Sequence, residues 1–138
     1  MRFLDRLQPL ALLVLRVVLG VIMVAHGYSK VFGGLHHQVD FVRTLGLPGW
    51  VAYLSAAAEL LGGFLVIAGL LTRCAALAIA IDMGVAIWKV NWKNGLTADH
   101  GYQLPLALAA MAFALIFFGP GSFALDRIRS GSGGAKAK

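Results

Sequence analysis

Four apolar stretches, each close to the length that crosses a bilayer, leave this chain few folds to choose from. A spanning helix takes about 20 mostly apolar residues, with roughly 17–25 tolerated. The runs cover about 9–32, 50–71, 74–90 and 102–118. Turn-forming residues separate them: Gly33-Gly34 closes the first and Gly46-Leu47-Pro48-Gly49 precedes the second. Asn94-Gly95 marks the polar link before the fourth, and Gly119-Pro120-Gly121 ends it. Pro105 falls in the first turn of the fourth run, where a missing N–H costs little. The N-terminus resembles a signal peptide, with Arg2 and Arg6 ahead of an apolar run. That run is too long for such a peptide and carries Arg16, so it is read as a retained helix. Open sheet edges do not survive in lipid, and no period-two alternation is present. The expectation is an all-α integral membrane four-helix bundle with short loops, occupying residues 1–129, with a flexible tail over 130–138.

Composition points the same way. Hydrophobic residues make up 59% of the 138 and charged residues 13%, whereas a soluble domain has roughly 45–50% and about 25%. A net charge of +6 suggests nucleic acid as partner in a soluble protein, but here the cations read first as topology signals. One side of the membrane receives Arg2, Arg6, Arg73, Arg127, Arg129, Lys136 and Lys138; the other receives Lys30, Arg43, Lys89 and Lys93. Lys and Arg concentrate on cytoplasmic flanks, so both termini are placed in the cytoplasm and no nucleic-acid partner is implied. Cys74 stands alone, which rules out an internal disulfide and the cysteine pairs a thiol oxidase needs.

Within the spans lie charges that lipid does not tolerate. Arg16, Glu59 and Asp82 each cost roughly 2.5–3.5 kcal/mol at a helix centre. Counting about 1.5 Å per residue from the cytoplasmic edge puts them roughly 10, 18 and 12 Å deep. An Arg16–Asp82–Glu59 cluster is therefore expected. On the first span, Arg16, Gly20, Met23, Gly27 and Lys30 form one stripe, and His26 and Lys30 share a face. Glu59 would sit between Arg16 below and the His26–Lys30 pair above. Two readings stand for this polar column: it binds or relays a proton, or its ion pairs fix which helix neighbours which.

Small residues suited to close helix contact recur as Gly20 and Gly27, Gly62 and Gly69, Ala76, Ala80 and Gly84, and Ala110 and Ala114. Between the first two spans, Leu35, Val39, Val42 and Leu45 alternate with His36, His37, Asp40 and Arg43, the pattern of a short interfacial helix. Trp50, Trp88, Trp92, Tyr28, Tyr53 and Tyr102 all fall near the outer boundary. They form either an interfacial belt or, as their one-sidedness suggests, the rings of an outward-facing ligand pocket. A haem or metal site needs converging imidazoles; His36 and His37 are adjacent in a loop, and only His26 and His100 could approach one another. No second histidine lies on a facing helix and no C-x-x-C-H is present, so neither a metal nor haem is expected. Phosphate loops, nucleophile elbows and zincin helices are equally missing from the sequence.

Three motifs in order resemble the DoxX family of small bacterial membrane proteins. Arg16-x-x-x-Gly20 followed by His26-Gly27-Tyr28-Ser29-Lys30 is similar to its first helix. Glu59-Leu-Leu-Gly62-Gly63, leading to Gly69-Leu-Leu-Thr72-Arg73, is similar to its second. Gly119-Pro120-Gly121 with Leu125-Asp126 resembles its closing signature. The resemblance implies a multi-pass protein of the bacterial inner membrane, with Arg16, His26, Lys30 and Glu59 at the family's polar positions. It also implies work alongside oxidoreductases, since the family takes its name from a subunit of thiosulfate:quinone oxidoreductase or quinol oxidase systems. Where relatives often carry Gly-Tyr-Glu-Leu, this chain has Gly101-Tyr102-Gln103-Leu104. Gln103 hydrogen-bonds but carries no charge, leaving any proton-carrying role to Glu59 or Asp99.

The functional expectation is a redox accessory subunit that binds a quinone-like molecule in the outward half of the bundle. Its ring would lie near Trp50, Tyr53 or Trp88, with Arg16, Asp82 and Gln103 as further polar contacts. His26 or Lys30 would hydrogen-bond a quinone oxygen, and Glu59 would exchange the accompanying proton. No cofactor of its own is visible, so electrons would come from an oxidoreductase partner in the lipid bilayer, and whether the chain is itself an enzyme stays open. The alternatives are a small proton-coupled transporter, which so short a chain would build as a homo-oligomer, and a structural scaffold.

Overall fold

The computed structural model describes residues 1–97 and 101–128. Arg129, the tail 130–138 with Lys136 and Lys138, and the loop residues Asp99 and His100 lie outside the described residues. Among the described residues every regular element is helical. A short α1 (Arg2–Arg6) leads into α2 (Gln8–Phe32), followed by α3 (Leu35–Thr44), α4 (Trp50–Ala68), α5 (Thr72–Val85) and α6 (Gln103–Phe118). Helix α5 continues as a π-helical segment, Ala86–Asn91, and a 3₁₀ turn, Trp92–Asn94.

Among the described residues three helices are long and apolar enough to cross a membrane: Gln8–Phe32, Trp50–Ala68 and the continuous Thr72–Asn94. The fourth expected span is α6, apolar but only 16 residues long, or about 24 Å against a hydrocarbon core of about 30 Å. The expected interfacial helix is present as α3, which turns Val39 inward and leaves His36 and His37 exposed.

Helices α2, α4, α5 and α6 contribute to one buried cluster that includes Leu19, Met23, Val66, Ala76, Ile79, Leu108, Ala112 and Leu115. The α2–α4 contact is set by glycine. A Cβ on Gly63 would stand 2.8 Å from the Gly20 carbonyl and 2.9 Å from the Val24 nitrogen, and one on Gly27 would stand 2.6 Å from the Leu60 nitrogen. Only residues without a side chain allow two backbones so close. The expected stripe on α2 is the observed one, since Arg16, Gly20, Met23 and Gly27 are buried and Lys30 is half-buried.

The expected small-residue contacts are met in part. Gly62 packs on Ile79 of α5 while Gly63 meets α2, so each residue of the pair serves a different neighbour. On α6 the inward face is Leu108, Ala112 and Leu115, with Ala110 exposed. A Cβ on Gly84 would meet nothing. Of the small residues counted as contacts, Gly62 and Ala76 are buried and Ala80 packs against the core, whereas Gly84 and Ala110 lie outside it.

Candidate functional site

Buried charge divides between the two ends of the helices. At the end that carries the N-terminus, Arg16 is 1% exposed. Its Nε donates to the Val66 carbonyl at 3.0 Å and Nη2 to Ile67 at 2.8 Å. Nη1 donates to Pro120 at 3.0 Å and Phe123 at 2.8 Å. The guanidinium thus joins the last turn of α4 to the Gly119-Pro120-Gly121 segment, and the nearby carboxylate that acts on it is Asp126.

This corrects the expected Arg16–Asp82–Glu59 cluster. Helix α4 ends at Ala68, short of the expected 71, which brings its terminal carbonyls level with Arg16. A five-donor fork suits such a set, and the negative end of a helix favours a cation. Glu59 lies seven residues before Val66, about 11 Å away along the helix. Asp126 completes the join: its carboxylate accepts from the backbone N–H of Leu71 at 2.8 Å and of Thr72 at 2.9 Å. These bonds cap α5 and hold Leu71 at φ +48, a left-handed conformation rare for a bulky residue. Gly69 at φ +71 has Arg16 Nη2 within 2.7 Å of where a Cβ would sit, so the turn needs glycine on both counts.

The opposite end is built differently. Lys30 reaches from α2 to α4, its Nζ donating to Glu59 Oε1 at 2.7 Å and Ser55 Oγ at 3.1 Å. Glu59 is almost wholly buried, yet its Oε2 has no partner, and neither has the buried Oδ2 of Asp82. Above them opens a cavity of about 660 Å³, with His26, Lys30, Gln38, Glu59, Asn91 and Gln103 as its polar lining and Phe41, Met83, Pro105 and Leu108 among its apolar walls. A smaller chamber of about 80 Å³ adjoins it, sharing Lys30, Gln38, Phe41, Glu59, Ala86 and Val90 and adding Ser55 and Asp82.

Helix α3 roofs this site through Gln38 and Phe41, and the π-helical segment forms its far wall. π-helical turns are rare and frequent at functional sites. Here the wide turn directs Ala86, Val90 and Asn91 inward. Its far end is tied to the start of α6, where Asn91 Nδ2 donates to the Gly101 carbonyl at 3.2 Å and Trp92 stacks on Tyr102 at 5.4 Å.

Of the expected site residues, His26, Lys30, Glu59, Asp82 and Gln103 line these chambers, and Arg16 does not. His26 sits at the exposed edge and donates Nδ1–H to the Ile22 carbonyl at 2.8 Å. Trp50, Tyr53 and Trp88 are 61, 53 and 68% exposed and line neither chamber, contrary to the expected ring pocket. On α4 the inward series is Ala52, Ser55 and Glu59, a helical spacing that turns Trp50 and Tyr53 away. Ser55, Gln38 and Asn91 were missed. Ser55 was within reach of the argument used for His26 and Lys30, because it lies four residues before Glu59 on one face; nothing in the sequence announces the π-helix that positions Asn91. Among the described residues no group of three or more His, Cys, Asp or Glu side chains is placed to hold a metal ion.

Comparison with known proteins adds a family to this geometry. The DoxX family profile matches residues 11–92. A Bacillus subtilis protein named "Putative oxidoreductase CatD" is 38% identical over 103 residues, 75% of this chain and 76% of its own length. The Escherichia coli "Inner membrane protein YqjF" is 25% identical over 126 residues, covering 90% of this chain and 95% of that protein. An uncharacterized Haemophilus influenzae protein is 30% identical over 131 residues, covering 91% of this chain and 96% of its own length. No solved structure matches.

Proposed function

The chain belongs to the DoxX family of membrane proteins, and from that premise we propose that it is an accessory subunit of a membrane oxidoreductase, binding a quinone-like molecule in the cavity above Glu59. The single observation that carries this reading is a half-satisfied ion pair, Lys30–Glu59, under an apolar-walled cavity of about 660 Å³. Small-molecule sites commonly combine a largely apolar chamber of about 300–1,000 Å³ with a few convergent polar groups. The ring would lie against Phe41, Met83 and Leu108, replacing the tryptophan contacts first expected. His26, Gln103 or Asn91 would hydrogen-bond its oxygens.

Reduction of a quinone to a quinol takes two electrons and two protons. The electrons would come from a partner oxidoreductase, and the oxidoreductase name of the Bacillus relative supports that setting. Glu59 would pass protons from its buried carboxyl to the quinone oxygen, and Lys30 would hold the carboxylate left behind. The cation distribution supports cytoplasmic termini, which would open the cavity toward the outer half of a bacterial inner membrane, the compartment named for the Escherichia relative. On this reading α6 completes a four-helix bundle.

Titration of the purified protein with a ubiquinone or menaquinone analogue tests the proposal. Saturable binding is expected, weakened about tenfold (about 1.4 kcal/mol) by Glu59→Gln and by His26→Ala. Binding unaltered in both variants overturns it. Absence of binding, together with proton-coupled flux in liposomes that Glu59→Gln abolishes, would assign the site to a transporter instead.

A further inference from the structure

The floor of the cavity holds one acid more than the proposed function uses. Lys30 brings a single positive charge and spends its observed bonds on Glu59 Oε1 and Ser55 Oγ. Opposite it stand two carboxylates, Glu59 from α4 and Asp82 from α5. They line the same small chamber and act on one another electrostatically. Each has a buried oxygen with no hydrogen-bond partner.

Among the described residues, no other charged or titratable group balances the pair. On α2, His26 is exposed at the rim, with Nδ1–H directed at the Ile22 carbonyl. Of α3, the small chamber meets Gln38 and apolar residues, and α6 adds the uncharged Gln103 to the larger cavity. Lys89 of the π-helical segment stands over the outward-facing Trp88 ring at 4.2 Å. Asp82 also borders a groove of about 310 Å³ between α4 and α5, otherwise walled by Val51, Leu54, Ala58, Ala78, Ile81 and Val85 with Ser55 as its other polar residue. A bare carboxylate beside such a groove, at membrane depth, is costly.

With both acids ionised the floor carries a net charge of −1, and two carboxylates sharing one site do not both ionise readily. A single proton removes the excess charge and supplies the donor that the orphaned oxygens lack. We propose that Glu59 and Asp82 together form a binding site for one proton, shared between the two carboxyl groups and faced by Lys30. The proposal rests on reading this cavity as a proton-exchanging site. It makes Asp82 the second acid of that site, loading the proton that Glu59 delivers.

Infrared spectroscopy of the protein in lipid nanodiscs, without quinone, tests it through the carbonyl stretch of a protonated carboxylic acid at neutral pH. The wild type is expected to show a band of one buried acid. Glu59→Gln and Asp82→Asn are each expected to abolish it, because either leaves one carboxylate for one lysine. Lys30→Met is expected to double it, because both acids then take a proton, and His26→Ala leaves it unchanged. A band that survives Asp82→Asn assigns the proton to Glu59 alone and overturns the sharing. No band in the wild type, or one that appears only when sodium is withdrawn, also overturns it. Should Lys30→Met fail to assemble, the two acid variants decide. Quinone plays no part in this readout, so a failed quinone titration leaves the shared proton standing, and loss of the band leaves quinone binding standing.

Discussion

Arg16 and Glu59 sit on neighbouring helices, both nearly inaccessible, and they do opposite things. Arg16 meets four backbone carbonyls and a nearby carboxylate, Asp126, and it does not line the cavity of about 420 Å³ that opens beyond this join between Thr72, Arg73, Pro120 and Asp126. Glu59 is held by one lysine, keeps an oxygen without a partner, and looks into open space. Buried polar groups are nearly always satisfied, and the exceptions call for an explanation. The guanidinium with its four acceptors is therefore architecture, fastening α2, the end of α4 and the chain beyond α6. Beside that join the Thr72 hydroxyl is the one buried side-chain group among the described residues left without a partner. The Glu59 end is where a ligand or a proton would complete the bonding.

Replacing Arg16 is the severest way to probe this division. Arg16→Leu removes the side-chain donor from the carbonyls of Val66, Ile67, Pro120 and Phe123, of which Val66 keeps the Gly69 N–H, and the expected loss is about 3–5 kcal/mol. Thermal unfolding in detergent checks it, beside Glu59→Gln, for which a smaller loss of about 1–2 kcal/mol is expected because the amide still accepts from Lys30 and Asp82 lines the same chamber. If Glu59→Gln proves the more destabilising of the two, the assignment of one end to structure and the other to function is reversed.

Glycine gives a smaller and more local probe. Gly63→Ala places a methyl against the α2 backbone at Gly20 and Val24, neither of which can swing aside as a side chain would, so a loss of about 1–3 kcal/mol is expected. Gly84→Ala enters empty space on α5 and should be neutral or stabilising by up to about 1 kcal/mol through helix propensity. Equal effects at the two positions would show that the α2–α4 contact is not the close one.

How far these ends could be read beforehand follows from what kind of atom does the binding. The apolar runs, the stripe from Arg16 to Lys30 and the interfacial helix were legible because side-chain periodicity encodes them. Arg16's partners were not, because all four are backbone carbonyls, which every residue possesses and no sequence marks. Once α4 stopped at Ala68, its terminal carbonyls outcompeted two distant acids. The Glu59 end was half legible: charge in an apolar run singled out Glu59, Asp82 and Lys30, and helical spacing placed His26. Its volume was not, since the chamber depends on how α3 folds across the top and on a π-helical turn that has no residue signature.

The aromatic residues provide the gentlest probe, and it bears on the same division from outside. Three tryptophans at one boundary suggested a ring-binding pocket, yet Trp50 and Trp88 point away from the chamber that Glu59 floors. Exposed indoles at a membrane boundary gain from the headgroup region, where an apolar body and a polar N–H are both accommodated. Trp50→Ala and Trp88→Ala should therefore leave quinone-analogue affinity within about twofold, or about 0.4 kcal/mol, while Met83→Ala or Leu108→Ala, which remove cavity wall, should weaken it more. A tenfold loss in either tryptophan variant, with the wall variants silent, would move the ligand out of the chamber and onto the aromatic rim. The orphaned oxygens of Glu59 and Asp82 would then await a proton and nothing larger.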